Sequence, residues 1–319
     1  MTAARSGRRR ILAAGGGALL VGALAAPALA APQRRTLTLL VGAPAGSPTD
    51  LRARSLVPFL ERHLTRHTIV VGNLPGTGGL EAARQVAGAG GASSMLGIVS
   101  TPALLARCIQ DADPDLPDRL AWFGPLLVEP LLLVAGPDGQ GLRLVANGRD
   151  GRVVGCGPAG SGSHLAAIRL AAALPGVRVL PFASSAAAQR AAAAGHIAAA
   201  LLPAPDLRRA ITVGGVLPVA VAAASRLSWL PAVPTLAERG LPLVAAVERG
   251  LVAPAGLSAA SRLAAAILNL RADPEFVAWT EELGARPGEG DPAAWATRLA
   301  EERRELAAQW SRMPWVEPG

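Results

Sequence analysis

The chain has 319 residues, 51% hydrophobic and 17% charged, with glycine and proline together about a fifth; this excludes collagen, coiled coil and disordered polymer and suits about two globular domains. The formal charge is +8, but four arginines and no acid fall in the first thirty residues, leaving +4 for the rest. With no lysine, four Phe, six Trp and no Tyr, the chain lacks the basic runs and stacking surface of a nucleic-acid binder, and its two cysteines, Cys108 and Cys156, are too few for a disulfide scaffold or thiolate zinc site.

Residues 1–10 are basic, Ile11 to Ala26 are small and apolar, and Ala28-Leu29-Ala30 before Ala31 is a small-x-small cleavage site. Together they describe a secretory signal over residues 1–30, with a mature chain starting near Ala31 in the periplasm. Gly7-Arg8-Arg9-Arg10-Ile11-Leu12 also resembles a twin-arginine signal, the alternative being the ordinary Sec route. No later segment has 18 uninterrupted apolar residues, so the mature protein is expected to be soluble.

Thr36 to Val41 reads as a strand, Gly42 to Thr49 as a Gly/Pro loop, and Asp50 to Leu64 as a helix with Leu51, Leu56, Phe59, Leu60 and Leu64 at helical spacing. Thr68 to Val71 is a second strand, Asn73 to Gly79 a second loop, Leu80 to Ala87 a second helix, and Met95 to Val99 a third strand ending at Ser100-Thr101-Pro102. The rhythm resumes with a strand at Arg152 to Val154, a helix after Ser163, a strand at Val177 to Leu180 and a helix at Ala186 to Ala194. Alternating strands and helices predict an α/β fold of parallel-rich sheets with helices on both faces, and place ligands beyond the carboxyl ends of the strands.

Gly155-Cys156-Gly157-Pro158-Ala159-Gly160 matches the dinucleotide pattern G-x-G-x-x-G, but no acid lies between Arg152 and Pro205 to hold a ribose. What survives is a helix start at Gly160-Ser161-Gly162-Ser163-His164, whose free N–H groups and dipole favour an anion such as a carboxylate, in an acid-free stretch that also holds Arg152, Arg169, Arg178 and Arg190. Ser161 or Ser163 is expected to cap that helix as well. Ser161 lacks the G-x-S-x-G elbow of a serine hydrolase, and His63, His67, His164 and His196 show no H-E-x-x-H or paired Cys/His spacing. Asp111, Asp113, Asp115 and Asp118 are interrupted by Pro114 and Pro117 and read as a solvated loop, not a calcium loop. No enzyme, metal site or cofactor is expected.

Five segments resemble one family. Pro44-Ala45-Gly46-Ser47-Pro48-Thr49-Asp50 is similar to a P-x-G-G-x-T-D loop, and Asn73-Leu74-Pro75-Gly76-Thr77-Gly78-Gly79 to N-R-P-G-A-G-G. The segment from Pro117 to Leu126 resembles a D-F-x-P-V element, Gly162 to Ala166 an anion loop, and Leu230 to Gly240 followed by Gly250 to Gly256 the family's C-terminal pair. The chain thus resembles, over almost all of residues 36–310, the Bug family, the solute receptors of tripartite tricarboxylate transporters.

The resemblance implies a type II-like two-domain periplasmic binding fold, with domain 1 formed by residues 36–131 and 250–319, domain 2 by 132–249, and a small organic carboxylate in the cleft between them. It implies binding groups from Pro44, Gly46, Ser47, Thr49 and Asp50, from Gly76, Thr77 and Gly78, and from Ser100 and Thr101 with Ser161, Gly162, Ser163 and His164. Its partners would be the transporter's membrane subunits, with the receptor a monomer.

The chain departs from the family at the cleft. Ser47 and Pro48 replace glycines, Ala43 an aromatic, Glu248 and Arg249 the usual Trp-Tyr, and Leu202-Pro203 an Asp-Asn, while Phe182-Ala183-Ser184 lacks a basic residue and Gly. Asp206 would replace a lost polar contact or cap the helix begun at Leu207. The expected function is therefore an extracytoplasmic receptor for a carboxylate; the alternative is an exported interaction domain of the same fold that binds a protein and no solute.

Overall fold

A computed structural model describes residues 34–137 and 152–316; the expected signal peptide, residues 1–30, lies outside the described residues. The chain opens with β1 (Arg35–Val41), α1 (Pro48–His63), β2 (His67–Asn73), α2 (Leu80–Gly88), β3 (Met95–Thr101) and α3 (Ala103–Gln110). A long strand, β4 (Leu120–Ala135), then leads to β5 (Arg152–Cys156), α4 (Gly162–Ala172), β6 (Val177–Pro181), α5 (Ser185–Ala193), β7 (Ala199–Pro203), α6 (Ala204–Thr212) and β8 (Leu217–Val221). The chain returns through β9 (Ala246–Pro254) and closes with α7 (Ala260–Ala272), α8 (Pro274–Leu283), the short β10 (Arg286–Pro287) and α9 (Pro292–Arg312).

Local chemistry sets several boundaries. Helix α1 begins two residues before the expected Asp50 because Ser47 caps it and Pro48 occupies the first turn. Proline fits there, since the first helical N–H has no intrahelical acceptor to lose. Ser161, Ser184, Asp273 and Asp291 cap α4, α5, α8 and α9 in the same way, each accepting a first-turn N–H.

Among the described residues the ten strands form one curled sheet in the order β2-β1-β3-β9-β4-β7-β5-β6, with β8 and β10 also on β4. The strand-helix units are parallel: β1 pairs β2 and β3, and β5 pairs β6 and β7. Two antiparallel strands the rhythm did not reveal join them. Strand β4 pairs β9 over Leu120–Pro130 and then, from Leu131 on, β7 and β8, so one strand crosses from the first half of the sheet to the second. Helices cover both faces of each half. In the first, Leu39, Leu56, Ile98, Leu251 and Phe276 form one buried layer and Leu80, Val86, Leu105, Val252 and Trp295 the other. In the second, Leu133, Val154, Leu170 and Val219 lie on one face and Leu132, Ala188, Leu202 and Leu207 on the other. Both cysteines are free and buried, and burial pushes their thiols up to about 12, so neither is a nucleophile at neutral pH.

Candidate functional site

The loops after β1, β2, β3 and β5 converge at the seam between the two halves. A Cβ on Gly42 would fall on the Cα of Gly79, so the loops after β1 and β2 touch backbone to backbone, which glycine alone permits. Gly76, Thr77 and Gly78 lie where those loops meet: Gly79 N donates to the Gly76 carbonyl at 3.1 Å, and Thr77–Gly79 form a single tight turn. From the second half Gly162 presses on the first, since a Cβ there would stand 3.2 Å from Pro102 Cδ.

Four of the expected ligand residues are already engaged within the protein. Asp50 is buried, and its carboxylate accepts from Gly46 N at 2.8 Å, Asn73 Nδ2 at 2.8 Å and Arg54 Nε at 3.0 Å. The hydrogen bond from Arg54, with those from Asn73 and Gly46, holds its pKa down at about 2. Asp50 therefore braces the loop after β1 and offers no donor to an anion. Ser163, expected to touch a carboxylate, is 2% exposed and turns its Oγ inward to accept from Gly157 N at 3.0 Å. His164 is buried too, and its Nδ1 accepts from Gly160 N at 3.0 Å; burial lowers its basicity and keeps it neutral. Ser161 caps α4 by accepting from His164 N at 3.2 Å, and its Oγ lies 3.2 Å from that of Ser163. The glycine-rich segment after β5 thus binds itself into a rigid helix start.

The remaining expected residues meet a charged ladder that sequence reasoning did not assemble. Register builds it: Ser100 on β3 stands directly opposite Arg249 on β9, while Arg249 is paired with Leu127 and Val247 with Glu129, so Arg249 and Glu129 are diagonal neighbours on one face of the sheet. Arg249 grips Glu129 with Nε–Oε1 at 2.6 Å and Nη2–Oε2 at 3.0 Å. Its Nη1 donates to Ser100 Oγ at 2.8 Å and reaches Thr49 Oγ1 at 3.4 Å. Across the same carboxylate, Arg52 on α1 brings Nε to 3.4 Å from Glu129 Oε1, and its Nη2 donates to Asp206 on α6. Burial lowers the basicity of Arg52, but the Glu129 and Asp206 charges outweigh it and hold the guanidinium above its ordinary value.

Each rung is sheltered. Glu129 has no exposed surface, Arg249 is 7% and Arg52 8% exposed, and the Asp206 side chain is 16% exposed. Asp206 does not cap α6; it faces the first half of the molecule instead. Thr101 is buried behind Ser100, Pro44 is exposed at the loop tip, and Ser47 caps α1. Of these residues Glu129 carried a signal in the sequence, being the lone charge in the apolar run Leu120–Ala135.

The hydroxyls of Thr49 and Ser100 accept from the Arg249 guanidinium, which leaves the hydrogen of each hydroxyl available to donate to another group. Donors backed by a buried positive charge, at strand and helix ends along a seam between two halves of a sheet, define a two-lobed binding protein. A family profile described as tripartite tricarboxylate transporter family receptor matches residues 53–305. Among solved structures, periplasmic binding protein BugD is 23% identical, with 87% of this chain and 97% of that chain covered and a TM-score of 0.71. MatC from Rhodopseudomonas palustris with bound malate is 25% identical over 86% of this chain and 98% of that chain, TM-score 0.70. Rpa4515 from R. palustris with adipate is 22% identical over 87% and 95%, TM-score 0.69. A search of curated proteins gave no match. The chain belongs to the tripartite tricarboxylate transporter receptor family, a family of solute-binding receptors and not an enzyme class.

Proposed function

We propose that this protein is an extracytoplasmic receptor that captures a small organic carboxylate in the cleft between a first lobe, residues 36–131 and 250–319, and a second, residues 132–249, and delivers it as a monomer to the membrane subunits of a tripartite transporter without catalysis. The observation that carries the reading is the Arg249 guanidinium, fixed by Glu129 and backing the hydroxyls of Thr49 and Ser100. Two hydroxyl donors and a fixed positive charge suit a carboxylate, each charge-assisted hydrogen bond being worth about 1.5–3 kcal/mol. The malate and adipate on two similar structures support the same ligand class.

The test is a thermal-shift panel of mono-, di- and tricarboxylates that includes malate and adipate. A ligand bound only by the folded state at 100 times its Kd adds about 2.7 kcal/mol, a rise of several degrees. A wide panel that moves nothing refutes solute capture and favours an exported interaction domain of this fold. Export with cleavage near Ala30 belongs to the same reading; the intact mass of the exported protein checks it, and a species that retains Met1 rejects it.

A further inference from the structure

We propose that Asp206 is a resident anion of the cleft: its carboxylate takes the place on Arg52 that a solute carboxylate would take, and it holds the two lobes together when no solute is present. The inference rests on the receptor reading and names the group that sets its anion specificity.

Arg249 and Arg52 share one carboxylate, Glu129, which Arg249 already holds through both oxygens. This triad carries one uncompensated positive charge in a sheltered place, which is costly unless a further anion arrives. The anion that arrives is Asp206, from the second lobe, on Arg52 Nη2.

Asp206 is also free to leave. It is the only acid between residues 151 and 237. It caps nothing, and among the described residues its carboxylate has no hydrogen-bond partner besides Arg52. Its side chain retains some exposure, whereas Glu129 has none, so water and small solutes reach Asp206 first. When the lobes part, Arg52 loses Asp206 and keeps Glu129. The vacated Nη2 then presents a charge-assisted donor to a solute carboxylate, and reciprocity requires that whatever weakens Asp206 on Arg52 strengthens the solute there.

The experiment uses the mature chain, with Asp206→Asn and Arg52→Gln made separately and folding checked by circular dichroism. Small-angle scattering without added solute reads closure, and calorimetry with malate and adipate reads affinity. Both variants should show a larger radius of gyration than the wild type, but their affinities should move in opposite directions: Asp206→Asn binds the carboxylate about tenfold more tightly, and Arg52→Gln binds it at least tenfold more weakly. A merely structural ion pair would weaken both. An unchanged radius for Asp206→Asn, or weaker binding by it, overturns the proposal. Expansion of both variants with no carboxylate bound by any of the three proteins upholds the clasp and refutes the receptor reading. Should Arg52→Gln not fold, Asp206→Glu serves instead: it keeps the charge and should stay closed with wild-type affinity, and its opening would overturn the proposal.

Discussion

Replacing Glu129 by Gln removes the charge that two guanidiniums share and leaves nearly the same volume. Arg249 loses a bidentate carboxylate with contacts of 2.6 and 3.0 Å, and Arg52 loses an ion pair at 3.4 Å. At an effective dielectric constant of about 20, unit charges 4 Å apart interact by about 4 kcal/mol, and breaking one partner out of a buried pair costs about 3–5 kcal/mol because the other charge stays buried. For a chain of this size each kcal/mol moves the melting temperature by about 2 °C, so Glu129→Gln should melt about 6–10 °C lower. Calorimetry and urea denaturation check it, the midpoint falling with an unchanged slope. The cost should shrink by at least about 1 kcal/mol in an Arg249→Met background, where only Arg52 is orphaned. A melting temperature within about 2 °C of wild type would refute the reasoning, since a fully buried carboxylate between two arginines cannot be removed at so small a cost.

Ser163→Ala should destabilise by about 1–2 kcal/mol, because Gly157 N loses its acceptor, while the affinity for any carboxylate changes less than about threefold; tenfold weaker calorimetric binding would return Ser163 to the ligand. The imidazole of His164 is less basic in the native state than in the unfolded chain, so the unfolded chain binds the proton first and stability falls as pH drops below about 6.5. Urea melts at pH 7.5 and 5.5 should show a larger loss for wild type than for His164→Asn, and equal losses would reject the assignment. Gly42→Ala sets a methyl group on the Gly79 backbone and should cost about 1–3 kcal/mol by overpacking, measured by thermal melting; a neutral substitution would mean that the two loops are not in contact.

What the sequence determined by itself was local. Strands and helices from Arg35 to Thr101 and from Arg152 to Ala193 follow from hydrophobic period, serine caps and Gly/Pro loops, because those signals act within a few residues. The family motifs were local in the same way, being loops written in consecutive residues. The ladder could not be read so. Arg52, Glu129, Asp206 and Arg249 lie on four different elements, and only the register of β9 against β3 and β4 puts Arg249 beside Ser100 and Glu129. Arg249 was legible as a departure from the family, but its partner was not, since one residue of slip between β4 and β9 would place Glu129 on the opposite face. The direction of the Ser163 hydroxyl was likewise tertiary: a serine at a helix start can cap, face a ligand or brace a loop, and the position of Gly157 N decided among them. Pairing across elements is set by the packing of the whole sheet, and for that reason the elements were readable from the chain and the charged cleft between them only from the fold.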